Sequence, residues 1–341
     1  MIVCDQTIFH NFIKFKGVFM RGKIVIFLTI VSLVACLNIG CKKRTGEIGS
    51  KNNPVRFYFM PLKEKDVYEK NETIIKDYIE KNIGLYVKTT NAPNFTALVQ
   101  AFGDGKADIA FMNTLGYLMV RDWSKAEAQL LTVYGDVYKT YRGELLTRAD
   151  SNINKPEDIN GKVVAFSDPF SASGYLYALK FFRDNNIKPA KTMFAKGHKD
   201  AVEKLYNGEV DVVAVYHSKA TPEGIQRDAR SELAGQYPDI FTKLKIVALT
   251  SEIPNGPVAV RKDLPPEVRA KLINSLVEFV RTPEGRAALN DLYNVTGLVP
   301  VDDSDYNSVQ KVIKDLGKNI EEMVPGGITF YRKNIDTILE H

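Results

Sequence analysis

Ser171, Ser173 and His198 are the residues of this chain whose types and spacing could do chemistry. The stretch Ser171-Ala172-Ser173-Gly174-Tyr175 follows the apolar run Val163-Val164-Ala165-Phe166 and opens an amphipathic stretch from Tyr175 to Phe182. A strand that turns into a helix there directs the unpaired N–H groups of the first turn, and the positive end of the helix dipole, at one point. With two hydroxyls and the flexible Gly174 beside them, those groups describe a socket for a small oxyanion. Taken alone, the same residues also describe an ordinary serine N-cap on a surface helix. His198 lies in Lys196-Gly197-His198-Lys199-Asp200, where a strand through Met193-Phe194 gives way to a helix. A ring nitrogen at that place can donate to an anionic oxygen, and Gly197 lets the backbone come close; alone, the histidine reads as a polar capping residue. If both turns are βα loops of one parallel sheet, they converge at the carboxyl ends of its strands, where open α/β sheets bind ligands.

A facing wall is offered by Asp108-Ile109-Ala110-Phe111-Met112-Asn113-Thr114, a predicted strand ending in Asn113 and Thr114. Thr114 is the expected N-cap of the next helix, with Tyr117 one turn further in. The turn Pro93-Asn94-Phe95-Thr96 opens another helix and gives Phe95 to the cleft wall or to the core. Asp168-Pro169 is expected to shape the serine turn through an Asx-type backbone contact. Tyr138, Lys139, Tyr141 and Arg142 fall near an expected domain crossing, either closing over a ligand or forming a solvated hinge face. There is no Walker-type loop, dinucleotide fingerprint, His-Glu-x-x-His pair or G-x-S-x-G elbow. A Ser171/His198/Asp168 triad can be written, which keeps an exported hydrolase as a second class, but it would lack an evident acid for the leaving group.

These residues must be positioned by a chain of 341 residues, 45% apolar and 26% charged, long enough for two domains. From Pro54 onward, short apolar runs alternate with stretches of helical period, which predicts α/β domains with parallel sheets and helices on their faces. Strands are predicted at 55–60, 85–89, 108–112, 130–134, 162–166, 210–215, 245–249 and 258–260. Helices are expected over 64–81, 94–102, 115–121, 171–184, 200–206, 265–280 and 283–293. One lobe is expected from 54–142 together with 251–341, the other from 143–250. The return rests on the rigid turn Pro254-Asn255-Gly256-Pro257, after which a further strand and two helices need a sheet to pack on. The net charge is +5, of which residues 1–35 carry Lys14, Lys16, Arg21 and Lys23 against Asp5 alone. The body is thus close to neutral, with no basic block for nucleic acid. Cysteines occur only at 4, 36 and 41, and two of the four histidines lie at 10 and 341, so no disulfide scaffold, metal site or cofactor is expected.

After Arg21 and Lys23, the uncharged run Ile24–Ala35 has the length of an export signal. Leu33-Val34-Ala35-Cys36 resembles the lipobox of bacterial lipoproteins, in which the cysteine is acylated, with Leu37-Asn38-Ile39-Gly40-Cys41 as the alternative. A signal peptide over 1–35 and a lipidated tether over 36–53 are therefore expected, placing the globular part outside the cytoplasmic membrane. An uncleaved membrane helix is the competing reading.

The set of segments Arg56–Pro61, Gly105–Phe111, Gly161–Tyr175, Gly197-His198, Asn207–Asp211, Ile253–Pro257 and Arg261–Pro265 resembles the phosphonate/phosphite/phosphate-binding family of ABC-transporter substrate-binding proteins. The resemblance implies a two-lobed, periplasmic-binding-protein-like (type II) α/β fold with a hinged cleft. It implies a monomer that closes on a small oxyanion, hands it to an ABC permease and performs no chemistry on it. It also implies that Ser171, Ser173, Gly174 and His198 hold the phosphoryl oxygens, with Ala172 in the same turn; Asn113, Thr114, Tyr117 and Phe95 are expected to close from the facing lobe. Ala172 stands where the family has a threonine, a loss of one donor worth about 1–3 kcal/mol, and Phe95 lacks a tyrosine's phenol. Met112-Asn113-Thr114 also departs from the family after its strand. The carboxylates that hold the amino group of aminophosphonates fall at Ser218 and Gly256, which disfavours 2-aminoethylphosphonate. These departures keep open a two-lobed surface lipoprotein serving adhesion or signalling.

Overall fold

The computed structural model describes residues 46–60, 62, 65–220, 224 and 227–323. The expected export signal, Cys36 and Cys41 lie outside the described residues. Of the expected tether, the last residues are held against the body. Ser50 and Asn53 form a β-bridge, and the Tyr86 N–H donates to the Gly49 carbonyl at 2.8 Å.

In chain order the strands are β1 (Val55–Phe59), β2 (Val87–Asn91), β3 (Ile109–Phe111), β4 (Glu127–Val133), β5 (Thr140–Arg148), β6 (Val163–Phe166), β7 (Lys191–Phe194), β8 (Val212–His217), β9 (Leu244–Pro254), β10 (Pro257–Val260) and β11 (Gly297–Pro300). They form two sheets, one ordered β11-β4-β10-β3-β1-β2 and the other β7-β6-β8-β5-β9. Each sheet is mixed, not parallel throughout as expected. β1 runs parallel to β2 and β3, and β6 parallel to β7 and β8, whereas β10 is antiparallel to β3 and β4, and β5 antiparallel to β8 and β9. β11 is also antiparallel to β4, and the chain passes between the sheets from β4 to β5 through 134–139 and from β9 to β10 through Asn255-Gly256.

Alternation of side chains drives the packing. In β1, Val55, Phe57 and Phe59 are buried while Arg56 and Tyr58 are not, and helix Lys65–Ile83 lays Tyr68, Ile75 and Ile79 over that face. At the end of the first sheet away from Asn113, fully buried Asp108 accepts from the Arg56 Nε at 3.0 Å and meets the Arg261 Nε at 2.6 Å, tying β1, β3 and β10. In the second sheet, Leu146, Val213 and Val215 pack under helix His198–Tyr206, while Leu145, Val212 and Ala214 face the other way. β5 was not among the predicted strands because Gly143 and Glu144 interrupt its apolar pattern, yet it lies between β8 and β9 with Leu145 and Leu146 buried.

The two connections between the sheets are joined by one residue. Asn255, with no exposed surface, donates from Nδ2 to the Thr132 carbonyl at 2.7 Å and the Tyr138 carbonyl at 2.9 Å. Its N–H reaches the Lys139 carbonyl at 3.0 Å and its own carbonyl accepts the Tyr306 hydroxyl at 2.8 Å. Gly256 has no room for a side chain: a Cβ there would collide with the Met112 carbonyl oxygen.

Candidate functional site

The serine turn is built by its own short bonds. After β6, the Asp168 Oδ1 accepts the Phe170 N–H at 2.8 Å, the Asx-type contact expected, and the Ser171 N–H donates to the Asp168 carbonyl at 3.2 Å. Ser171 is the N-cap of a π-helical turn, Ala172–Leu176, that runs on as helix Tyr177–Asp184. Such π turns collect at functional sites because they reset the aim of one turn of backbone. Two details differ from the sequence reading. The Gly174 N–H is not free, since it donates to the Ser171 Oγ at 2.9 Å, whereas the N–H groups of Ala172 and Ser173 have no hydrogen-bond partner among the described residues. Gly174 supplies space, not flexibility. A Cβ would strike the Ser167 hydroxyl and stand 2.8 Å from the Ser167 Cβ and 2.9 Å from the Ala214 carbonyl, so only glycine lets the turn sit down on β6 and β8.

His198 begins its helix directly after Gly197, whose φ of 130° is accessible to glycine. Its Nε2 lies 3.4 Å from the Ser171 Oγ, and its Nδ1 accepts the Tyr216 N–H at 3.3 Å. A nitrogen that accepts a backbone N–H carries no proton, so in the neutral ring the proton is on Nε2, facing Ser171. Burial holds the ring neutral, pushing its pKa down to about 4. The Ser171 Oγ thus accepts from Gly174 and faces the His198 N–H, which leaves its own proton to donate outward. The Ser173 hydroxyl, on a residue 2% exposed, meets the Tyr141 hydroxyl.

The Ser171/His198/Asp168 triad is not assembled. Nε2 holds a proton and cannot take one from Ser171, and Asp168 bonds to Phe170 and to the Ser167 hydroxyl at 3.3 Å instead of orienting the ring.

From the facing sheet, Asn113 and not Thr114 caps helix Thr114–Ser124, its Oδ1 accepting the Gly116 N–H at 2.7 Å. The Asn113 Nδ2 donates across the cleft to the Phe170 carbonyl at 3.3 Å, and Phe95 stacks on Phe170 with ring centroids 5.9 Å apart. Thr114 gives its hydroxyl proton to the Pro254 carbonyl at 2.8 Å, leaving oxygen lone pairs and its N–H. Tyr117 is placed elsewhere. It is fully buried, with its ring on Tyr306 and its hydroxyl bonded to Asp303 and to the Ala128 N–H, inside the first lobe. The residue that joins the two walls is Tyr141 on β5, whose hydroxyl lies beside Thr114 and Ser173 and is held protonated by burial. Its place at the expected crossing was the signal in the sequence.

Sequence reasoning did not find a polar cluster formed by β5, β8 and the turn that begins at Asp228. Glu144, His217 and Asp228 bring ligand-type atoms within 4.8 Å of one another. The Glu144 Oε2 meets the His217 Nδ1 at 2.9 Å, and Asp228 accepts from the Arg230 Nε at 3.0 Å and Nη2 at 2.8 Å. Burial raises the Glu144 pKa to about 7, opposed by the His217 bond and reinforced by the Asp228 charge.

Several known proteins are similar to this chain. It is 28% identical over 221 residues to the "Phosphonates-binding periplasmic protein" of Escherichia coli (strain K12), covering 63% of this chain and 62%, less than two thirds, of that protein's length. It is 28% identical over 259 residues to the "Phosphate-import protein PhnD" of Mycolicibacterium smegmatis, covering 69% and 77%. Among solved structures, a binding-protein component of an ABC phosphonate transporter from Pseudomonas aeruginosa aligns with a TM-score of 0.63 at 20% identity, covering 84% of this chain and 98% of that one. PhnD1 of Prochlorococcus marinus (MIT 9301), solved with methylphosphonate, gives a TM-score of 0.63 at 16% identity, covering 78% and 98%. These two show the fold, that of two-lobed type II periplasmic binding proteins. The family described as "ABC transporter, phosphonate, periplasmic substrate-binding protein" matches residues 57–306, most of the body described above, and the chain belongs to that family.

Proposed function

We propose that this protein is the extracytoplasmic solute-binding component of an ABC importer and captures a small phosphorus oxyanion (phosphate, phosphite or a small alkylphosphonate) between its two sheets. The observation that carries the reading is the approach of the His198 Nε2 to the Ser171 Oγ at 3.4 Å, with the ring's proton on that nitrogen. The donors around that point are the His198 N–H, the Ser171 and Ser173 hydroxyls and the N–H groups of Ala172 and Ser173. A tetrahedral oxyanion presents acceptors in several directions and matches such a set. None of these groups carries a formal charge, so the anion is held by oriented dipoles at a helix start. From the other lobe, Asn113 and the Thr114 N–H complete the wall, Tyr141 on β5 joins the two sides, and Phe95 on Phe170 shuts the rim. Closure on the ligand and delivery to a permease are the remaining work, with no bond made or broken. Acylation at Cys36, or at Cys41, anchors the monomer to the bacterial membrane, facing the periplasm or the cell exterior.

Isothermal titration with phosphate, phosphite, methylphosphonate and sulfate tests this. Ser171→Ala and Tyr141→Phe are each expected to weaken the preferred anion by about 10- to 100-fold, the range for a hydrogen bond to a charged group. Failure of all four anions to bind would remove the oxyanion assignment.

A further inference from the structure

One peptide plane in the cleft is held from both sides. The Phe170 carbonyl and the Ser171 N–H belong to the same planar unit. The N–H donates to the Asp168 carbonyl at 3.2 Å within the second lobe, while the carbonyl accepts the Asn113 Nδ2 at 3.3 Å from the facing lobe. The Phe170 ring is met from that lobe too, stacked on Phe95 with centroids 5.9 Å apart and planes 26° from parallel. Its own N–H goes to the Asp168 Oδ1 at 2.8 Å. Directly after this plane stands Ser171, whose Oγ caps the π turn through the Gly174 N–H and faces the His198 Nε2. Tilting the plane moves the Ser171 Cα, and with it the start of the turn that offers the anion its donors.

The facing groups are fixed at helix starts. The Asn113 Oδ1 is committed to the Gly116 N–H at 2.7 Å, so the other end of the amide points away from its helix, toward Phe170. Gly116 leaves room for this, since a Cβ there would stand 2.6 Å from that Oδ1. Phe95 is the first residue of helix Phe95–Gly103, which is capped by the Asn94 side chain accepting the Ala97 N–H at 2.8 Å. A phenylalanine side chain has no polar atom and cannot hydrogen-bond an oxyanion. What the Phe95 ring meets from the second lobe is Phe170, half-buried like itself.

We propose that Phe170 is a positioning residue of the anion site. Phe95 and Asn113 grip its ring and its carbonyl when the lobes come together, and that grip both sets Ser171 in place and holds the cleft shut. This rests on the oxyanion reading above and adds what governs escape of the anion. The contacts form only between closed lobes, after the anion has entered, so they slow release and leave entry almost unchanged.

Stopped-flow association and dissociation of phosphate, phosphite and methylphosphonate test this. Phe95→Ala should speed the dissociation of every anion that binds by about 3- to 10-fold, the range for loss of one aromatic pair, with association changed by less than about twofold. Phe170→Ala should do the same, and the double variant Phe95→Ala/Phe170→Ala should release no faster than Phe170→Ala, because the two rings make one contact. Side chains that only supported their own lobes would give effects that multiply. Unchanged dissociation in Phe95→Ala, multiplying effects in the double variant, or an effect confined to methylphosphonate, which would put the Phe95 ring on the ligand's methyl group, each overturns the proposal. Phe95→Ala decides the question even if Phe170→Ala does not fold, since residue 95 lies outside the serine turn. Binding with unaltered release overturns this inference alone, whereas no binding of any of the three anions overturns the oxyanion reading as well.

Discussion

The protonation of His198 is set by two contacts of its ring. Its Nδ1 accepts the Tyr216 N–H and burial pushes its pKa from 6.5 down to about 4. Protonation would require Nδ1 to give up that bond and a buried cation to form, so the free protein keeps a neutral ring through the physiological range. Linkage turns this into a stability statement. The unfolded chain takes up the proton below about pH 6.5 and the folded one only near pH 4, so the histidine's contribution is fully present above 6.5 and is lost as pH falls to 4. The full span corresponds to about 3 kcal/mol, an upper figure because the ring keeps some solvent contact. Urea unfolding of the protein and of His198→Asn at pH 7.5, 5.5 and 4.5 measures it. The two stability curves should draw together toward acid pH, the unaltered protein losing about 1–3 kcal/mol relative to the variant. NMR of the ring supplies the direct check, with the proton on Nε2 in the neutral form and titration below pH 5. Parallel unfolding curves together with a ring titrating above pH 6 would refute the tautomer, and with it the donor role of Nε2.

Gly174→Ala should destabilise by about 1–3 kcal/mol, the usual penalty of overpacking, and weaken anion binding by lifting the π turn from β6 and β8. Calorimetric melting and titration read both effects, and a variant that melts and binds like the parent would show that the turn does not depend on that close approach. Glu144, with its pKa raised from 4.5 to about 7, has the opposite sign to His198: its contribution is fully present below pH 4.5 and is lost as pH rises through 7. Glu144→Gln should therefore gain about 3 kcal/mol on the parent between pH 4.5 and 7.5; unfolding curves that stay parallel would contradict this.

Much of the fold was legible because the relevant signals are local. The strands that are apolar on both faces, such as β6 and β8, stand out as continuous runs, and Pro254-Asn255-Gly256-Pro257 marks the return of the chain to the first sheet. What escaped was decided by tertiary contacts. β5 carries Gly143 and Glu144 inward, against Thr250 and His217, and no alternation of hydrophobicity records that. The serine turn and His198 were recognisable as helix starts, but which N–H groups stay unpaired depends on the π turn and on Ser171 capping Gly174. Tyr117 shows the limit most clearly: a tyrosine one turn into a helix beside the cleft can face either way, and here Asp303, far along the chain, takes its hydroxyl. Tyr141 was visible only as a residue near a crossing, since its meeting with Thr114 and Ser173 depends on where both sheets end.

The single amide of Asn255 has a mechanical consequence. It clasps the outgoing and the returning connection at once, in a place water does not reach, so rotating one connection independently of the other would break two bonds with nothing to replace them. The pair bends as one plate. Such a joint resists torsion and sliding of one connection past the other, which keeps the two sheets in one alignment.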